Sequence, residues 1–480
     1  MFSNYITHVL IFFSFCCLIG LFRFLISRNK TTFGSAKWLA TKAVQKLVNS
    51  KNNGYVIDGV NRISHEQSTR NITTIAPTGG GKSWGQVVPN LLRMKTDYSI
   101  VVTDPSGDLF KATGSALQSV GVNVMIYQPF DEDNTVFFNP IESVTSLSEA
   151  MEIAETILIQ QSGSQSDKFW ITAPGLLLGS LINFCVDISS QENDYRSFDN
   201  IFSLLRLPYV DLITQIETKG SEDTKRAFLS YRESSENTRG NIVASLMAAL
   251  GIFLDPKIQK ATNNHDLDFS VLRDETSVLF VVIPEDKITY ARGLMALFYK
   301  KLFNFLFQNI NGKPVYILLD EFGNMRIPDF QSIITQSRKK NISISIMLQS
   351  LEQLKDKYPG QFQTIFEGGC QTKIIYPGLG NETCKIISQM IGNKTEIAES
   401  VGTNQRKTEY GVSRALIMPE EIRTLKKHEA LVLIENNAPF KINLKPAYDQ
   451  KELMPFLALA KEKEYQKRES SSYLETVAIK

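Results

Sequence analysis

A chain of 480 residues that is 43% hydrophobic and 21% charged has the apolar content for a sizeable core and the length for about two to four domains, which excludes a disordered or fibrous polymer. Its formal net charge of only +2 excludes a polycation that coats nucleic acid, so any such contact must use a local patch. Five cysteines without C-x-x-C spacing and four scattered histidines argue against a disulfide framework or a zinc site, and suit a reducing cytosol for the bulk of the chain.

The first predicted element is apolar. No residue from Phe2 to Phe22 is charged at neutral pH, and Val9 to Phe22 reads VLIFFSFCCLIGLF. A helix needs about 20 mostly apolar residues to cross the hydrocarbon core, and this segment reaches that length. Arg23, Arg28 and Lys30 follow it while no Lys or Arg precedes it, an asymmetry that places the N-terminus outside and the rest in the cytoplasm. A cleaved signal peptide would need a basic start and a small-residue cleavage site, and neither is present. Residues 1–30 are therefore expected to form a single-pass anchor. Residues 31–70 read as a juxtamembrane linker, with FGSAKWLATKA a short amphipathic helix close to the membrane.

Strand and helix signals then alternate. Strands are expected at Ile72 to Ile75, Ser99 to Thr103 and Val122 to Tyr127, with a helix from Lys82 to Leu92 bent at Pro89. Apolar, β-branched strands alternating with helices predict a mostly parallel sheet covered on both faces, the α/β class. From Leu147 to about Asp268 the spacing turns helical, as in FWITAPGLLLGSLINF and IVASLMAALGIFL, which predicts an all-α insertion. Strands resume at Ser277 to Ile283, Val315 to Leu319, Ile342 to Leu348 and Gln371 to Tyr376. A hairpin is expected from Leu431–Glu435 and Phe440–Leu444. The expected division is thus a nucleotide-binding domain in two parts (71–146 and 271–448) around a helical insertion (147–270), followed by a charged tail (449–480) carrying a peripheral helix.

The sharpest motif is APTGGGKS, Ala76 to Ser83, between a strand and a helix. A glycine-rich turn lets successive backbone N–H groups converge on a phosphate chain, and the following helix adds its positive end. Pro77, Thr78, Gly79, Gly80, Gly81, Lys82 and Ser83 are the expected binding residues, Lys82 reaching the β- and γ-phosphates and the Ser83 hydroxyl ligating magnesium. The first glycine of the usual pattern is Ala76, where a small side chain is tolerable. The strand VYILL ends in Asp320-Glu321: Asp320 is placed to hold the metal through water and Glu321, one residue on, to act as general base. Acids at such a turn also simply favour a helix dipole, and it is the P-loop upstream that tips the reading towards catalysis. Gln349 closes the strand ISISIML, where it either senses the γ-phosphate or is an ordinary loop residue. Arg338 ends the predicted helix Asp329 to Lys340. It reads either as a surface arginine of the RKK cluster or as an arginine finger reaching a neighbouring subunit. Asp104, in DPSGD after a third strand, is an active-site neighbour or the start of a turn.

Together, APTGGGKSWGQVVPNLL, VVTDPSGDLF, FFNPI, DKFWITAPGLLLGSL, ILLDEFGNM and IMLQSLEQL stand in the order seen in type IV coupling proteins, which the chain resembles from about Phe33 to Tyr448. These are membrane ATPases of bacterial conjugation and type IV secretion, similar to the FtsK and HerA translocases. The resemblance implies a RecA-like P-loop NTPase domain with an inserted all-α domain, using ATP and Mg2+ and assembled as a hexamer at the bacterial inner membrane. It implies delivery of relaxase-bound single-stranded DNA, protein effectors or both to a secretion channel. By motif position it makes Lys82 and Ser83 nucleotide-binding, Asp320 and Glu321 the Walker B pair, Gln349 the polar sensor and Arg338 the inter-subunit arginine. Two features depart from the family. Members commonly carry two membrane helices where one is legible here, and the lysine of a DPKGE-type segment is Ser106.

Three functions compete at this stage. A motor that threads DNA would grip it through phosphate contacts and stacking. A receptor for secretion signals would use ATP turnover only to reset itself. A small-molecule phosphotransferase would leave the apolar N-terminus and the helical insertion unexplained.

Overall fold

The computed structural model describes residues 32–462 except 95, 132–133, 163–168, 191–192 and 402–406. The expected anchor at 1–30 lies outside the described residues. A nine-stranded sheet organises the chain, in the order β11-β10-β7-β1-β6-β5-β2-β4-β3. Its parallel strands are β1 (Ile72–Ile75), β2 (Ser99–Thr103), β3 (Asn123–Tyr127), β4 (Ser277–Val281), β5 (Val315–Leu319), β6 (Ile342–Leu348) and β7 (Thr372–Ile375). The predicted hairpin, β10 (Glu429–Ile434) and β11 (Phe440–Asn443), extends the sheet antiparallel to β7.

Both faces of the sheet are covered, and the strands alternate between them. Along β5, Val315, Ile317 and Leu319 join one apolar cluster while Tyr316 and Leu318 join the other. This is the two-residue period of a pleated strand with no solvent side, and it explains why VYILL carries no charged residue. Truncating such a side chain, as in Leu318→Ala, leaves a cavity worth about 2–5 kcal/mol.

Between β3 and β4 the described residues are helical, with no strand. Leu147–Ser162 packs against Phe169–Ile188, and Glu222–Arg232 and Glu236–Ala249 pack on the latter. The first cluster runs without a break from the sheet into these helices, since Val101 and Ile317 belong with Leu177, Leu181 and Phe228. Among the described residues, Trp170–Ile188 alone is long and apolar enough to cross a membrane. Its Leu177, Leu178, Leu181, Ile182 and Phe184 are all buried by protein, as in a core helix.

Three expectations need correction. The helix expected in FGSAKWLATKA starts only at Thr41. Residues 33–36 instead run along a polar hairpin, β8 (Asn393–Val401) with β9 (Lys407–Ala415), through Ala36 N–H to Asn393 O (3.0 Å) and Thr395 N–H to Gly34 O (3.1 Å). Local amphipathicity yields there to strand addition. Residues 31–70 are not all linker: Val48, Tyr55, Ile57 and Ile63 are buried in the second cluster. The helix after the glycine-rich turn opens as a π-turn, Ser83–Val87, before Val88–Leu92. Pro89 has no N–H to give the preceding turn, and the turn widens so that Val88 N–H bonds Ser83 O.

Candidate functional site

In the sheet, β1, β6, β5 and β2 are consecutive neighbours and parallel, so their carboxyl ends lie side by side about 4.8 Å apart. Each of these ends carries a candidate residue: the glycine-rich turn after β1, Gln349 after β6, Asp320-Glu321 after β5 and Asp104 after β2. Ligands of open α/β sheets bind at this edge.

The turn itself is an exposed arch. Pro77 is half-buried and Thr78 to Gly81 are exposed, closed by Gly80 N–H to Pro77 O (2.9 Å). Gly79 (φ 72°) and Gly81 (φ 84°) occupy the left-handed region, and a Cβ on either would point into open space. Backbone freedom, not crowding, requires glycine at both. Ala76 is fully buried in the second cluster, so the residue that departs from the usual glycine is tolerated because it packs inward.

Below the arch the charged groups meet. The Lys82 ammonium is in direct contact with Glu321 Oε1 and lies 3.5 Å from Asp320 Oδ1. Ser83 Oγ donates to Asp320 Oδ2 (3.0 Å), and Gln349 Nε2 donates to Glu321 Oε2 (3.0 Å). Five of the predicted residues thus form one hydrogen-bonded constellation. Glu321 sits at φ 55°, a left-handed conformation that costs a non-glycine residue about 1–3 kcal/mol and is found where surrounding structure enforces it. Burial holds the Asp320 carboxyl above the usual carboxylate range; Lys82 offsets this in part, and Glu321 adds to it. Sequence reasoning assigned no part to Thr103, whose hydroxyl donates to Asp320 O (2.8 Å) and ties the end of β2 to that of β5. The threonine closing SIVVT was its only signal.

The donor set fits a magnesium–nucleotide complex. An exposed glycine-rich arch of backbone suits phosphate oxygens, and a buried carboxylate sharing a hydroxyl suits a hard cation with oxygen ligands. Lys82 contacts both acids, and a phosphate chain would take over the lysine.

Asp104 is nearly fully buried. One carboxylate oxygen accepts from Phe110 N–H (2.8 Å) and the other, Oδ1, is buried without a partner. Burial, only partly offset by hydrogen bonds from backbone N–H groups, pushes its pKa to about 6. A carboxyl whose folded pKa lies above its unfolded one favours folding when protonated. That contribution is present below about pH 4 and is lost as pH rises through about 6. Asp104→Asn is therefore expected to gain about 3 kcal/mol near pH 7 and only about 0.5 kcal/mol near pH 4, read from urea unfolding at the two pH values. An equal gain at both would mean that Asp104 is not the titrating group.

Arg338 does not join the site of its own chain. It precedes β6, whereas Gln349 follows it, so the seven-residue strand separates the two by roughly 20 Å. There it is exposed and paired with Glu66 (3.1 Å).

The family model for type IV secretory system conjugative DNA transfer matches residues 28–473. Protein VirD4 of Rhizobium radiobacter is 25% identical over 407 residues, 79% of this chain and 57% of its own length. The conjugal transfer protein TraG of Escherichia coli is 22% identical over 455 residues, 82% of this chain and 71% of its own. The chain thus spans a little over half the length of the VirD4 relatives. Among solved structures, the unbound bacterial conjugative coupling protein TrwBdeltaN70 superposes with a TM-score of 0.67 at 18% identity, covering 87% of this chain and 96% of that one. The plasmid coupling protein TrwB in complex with ADP and Mg2+ gives 0.65 at 18% identity, with 86% and 96% covered. Those two likenesses speak for the fold, and the family match takes in almost the whole sequence: the chain belongs to the family of type IV secretory system conjugative DNA transfer proteins.

Proposed function

We propose that this chain is an ATPase that couples hydrolysis to the delivery of DNA, or a DNA–protein complex, to a type IV secretion channel at the bacterial inner membrane. The observation that carries the ATPase is the convergence of Lys82, Ser83, Asp320, Glu321 and Gln349 at four adjacent strand ends. Thr78 to Gly81 cradle the phosphates through backbone N–H groups, and Lys82 holds the β- and γ-oxygens. Ser83 and Asp320 would hold magnesium, which would supply positive charge against the phosphate oxygens. Glu321 takes a proton from the attacking water, and Gln349 keeps its carboxylate oriented. The DNA substrate follows from the family.

Delivery of single-stranded DNA, bare or relaxase-bound, predicts ATP turnover stimulated by it. For about three phosphate contacts, the half-saturating DNA concentration should rise roughly 20-fold between about 50 and about 200 mM salt. Stimulation by a protein effector and none by DNA would replace this reading with that of a secretion-signal receptor.

We further propose a homo-oligomer, a hexamer by family resemblance, held by a single membrane anchor at residues 1–30; a chain lacking those residues that still pellets with membranes would contradict the anchor. In the oligomer Arg338 serves the neighbour's nucleotide, since its own lies at the opposite edge of the sheet. Arg338→Ala and Lys82→Ala proteins, each inactive, should regain about a quarter of wild-type turnover when mixed, because some interfaces then carry an intact lysine and an intact arginine. Mixed oligomers without any rescue would count against a role in trans.

A further inference from the structure

We propose that Trp84 and Tyr448 form the platform against which the nucleoside half of the bound nucleotide packs, its base held by ring stacking. The inference rests on the nucleotide reading of the glycine-rich turn. In that reading Lys82 meets the β- and γ-phosphates while the backbone cradles the α- and β-phosphates. The sugar and base then leave the arch on its α-phosphate side, and the first large side chain after Ser83 is Trp84.

Trp84 is 36% exposed and Tyr448 is 49% exposed, so neither is a core residue. Their rings lie 5.9 Å apart, inclined at 59°. Two partly exposed rings beside the glycine-rich turn leave aromatic surface in water, and stacking on a base covers that surface.

Tyr448 is held there by buried scaffolding. Its 3-10 turn, Ala447–Asp449, is anchored by Ala447, which is fully buried, and by Gln450, which is also buried. The Gln450 amide donates to Lys445 O (2.6 Å), and its oxygen accepts from Arg93 Nη2 (2.6 Å). Arg93 ends the very helix that begins at Ser83 and Trp84. Lys445 N–H in turn bonds Asp58 O (2.8 Å). A segment more than 350 residues away in sequence is thus clamped to the helix of the glycine-rich turn, and the side chain it sets beside Trp84 is an exposed aromatic. A turn that merely closed the fold would need the clamp but not the ring.

Stacking reads the face of a base and not its edge, so these two rings supply affinity with little choice between adenine and guanine. The chain has three tryptophans, so full-length protein carrying Trp38→Phe and Trp170→Phe leaves Trp84 as the sole reporter. In it, Mg·ATP and Mg·GTP should both quench the emission, with affinities within about fivefold of each other. Mg·tripolyphosphate should bind and compete without quenching. In the parent chain, Tyr448→Ala and Trp84→Ala should each weaken ATP about tenfold by calorimetry while leaving tripolyphosphate unchanged, and Tyr448→Phe should restore ATP affinity. Unchanged ATP affinity in both alanine variants, or equal quenching by tripolyphosphate, would overturn the platform and leave the glycine-rich turn standing. Failure of the parent protein to bind either nucleotide would overturn both readings.

Discussion

Lys82→Ala protein is expected to bind ATP at least about 100-fold more weakly than the parent and to show no turnover, while remaining folded. Two effects add. The variant lacks the charge-assisted contacts that an ammonium makes to β- and γ-phosphate oxygens, a loss of about 2–5 kcal/mol when a charged partner is truncated. It also leaves Asp320 and Glu321 without the cation they now contact, so the vacated space repels phosphate. The fold survives because the remaining acids need not both stay charged. Burial already favours the protonated form of Asp320, and Glu321 keeps its hydrogen bond from Gln349. Calorimetry with Mg·ATP, with far-ultraviolet circular dichroism as the folding control, measures both halves. Parental affinity in the variant would take Lys82 out of the phosphate site.

Glu321→Gln protein should behave differently, binding ATP at least as well as the parent but turning it over about 100- to 10,000-fold more slowly. Glutamine preserves the shape of the side chain, its place at φ 55° and an oxygen that can accept from Gln349 or Lys82. It cannot take a proton, and it removes one negative charge from beside the phosphates. A loss confined to turnover therefore marks Glu321 as the base, whereas matched losses of affinity and turnover would mark it as a structural partner of Lys82. Single-turnover kinetics at saturating ATP separate the two.

The legibility of these residues has a physical basis. APTGGGKS is readable because each of its residue types is demanded locally, by backbone freedom at Gly79 and Gly81 and by helix initiation after Ser83. VYILL followed by two acids is readable because a strand buried on both faces tolerates no charge until it leaves the sheet. The polar hairpin Asn393–Val401 with Lys407–Ala415 escaped notice because it lies outside the nine-stranded sheet and carries neither an apolar run nor a clean alternation. Tyr448 carried no local signal at all. Its position depends on Gln450 and Arg93, which are 357 residues apart.

Local chemistry alone thus specified the strands of the nine-stranded sheet, the helical run between β3 and β4, the glycine-rich turn and the acids, because propensity, period and turn geometry act over a few residues. Folding in three dimensions set the order β1-β6-β5-β2, which brings Lys82 onto a carboxylate 239 residues away. It also sent Arg338 to the opposite edge, drew residues 33–36 into strand pairing and turned Tyr448 towards Trp84. Those outcomes depend on which surfaces bury one another, and no window of a dozen residues contains both partners.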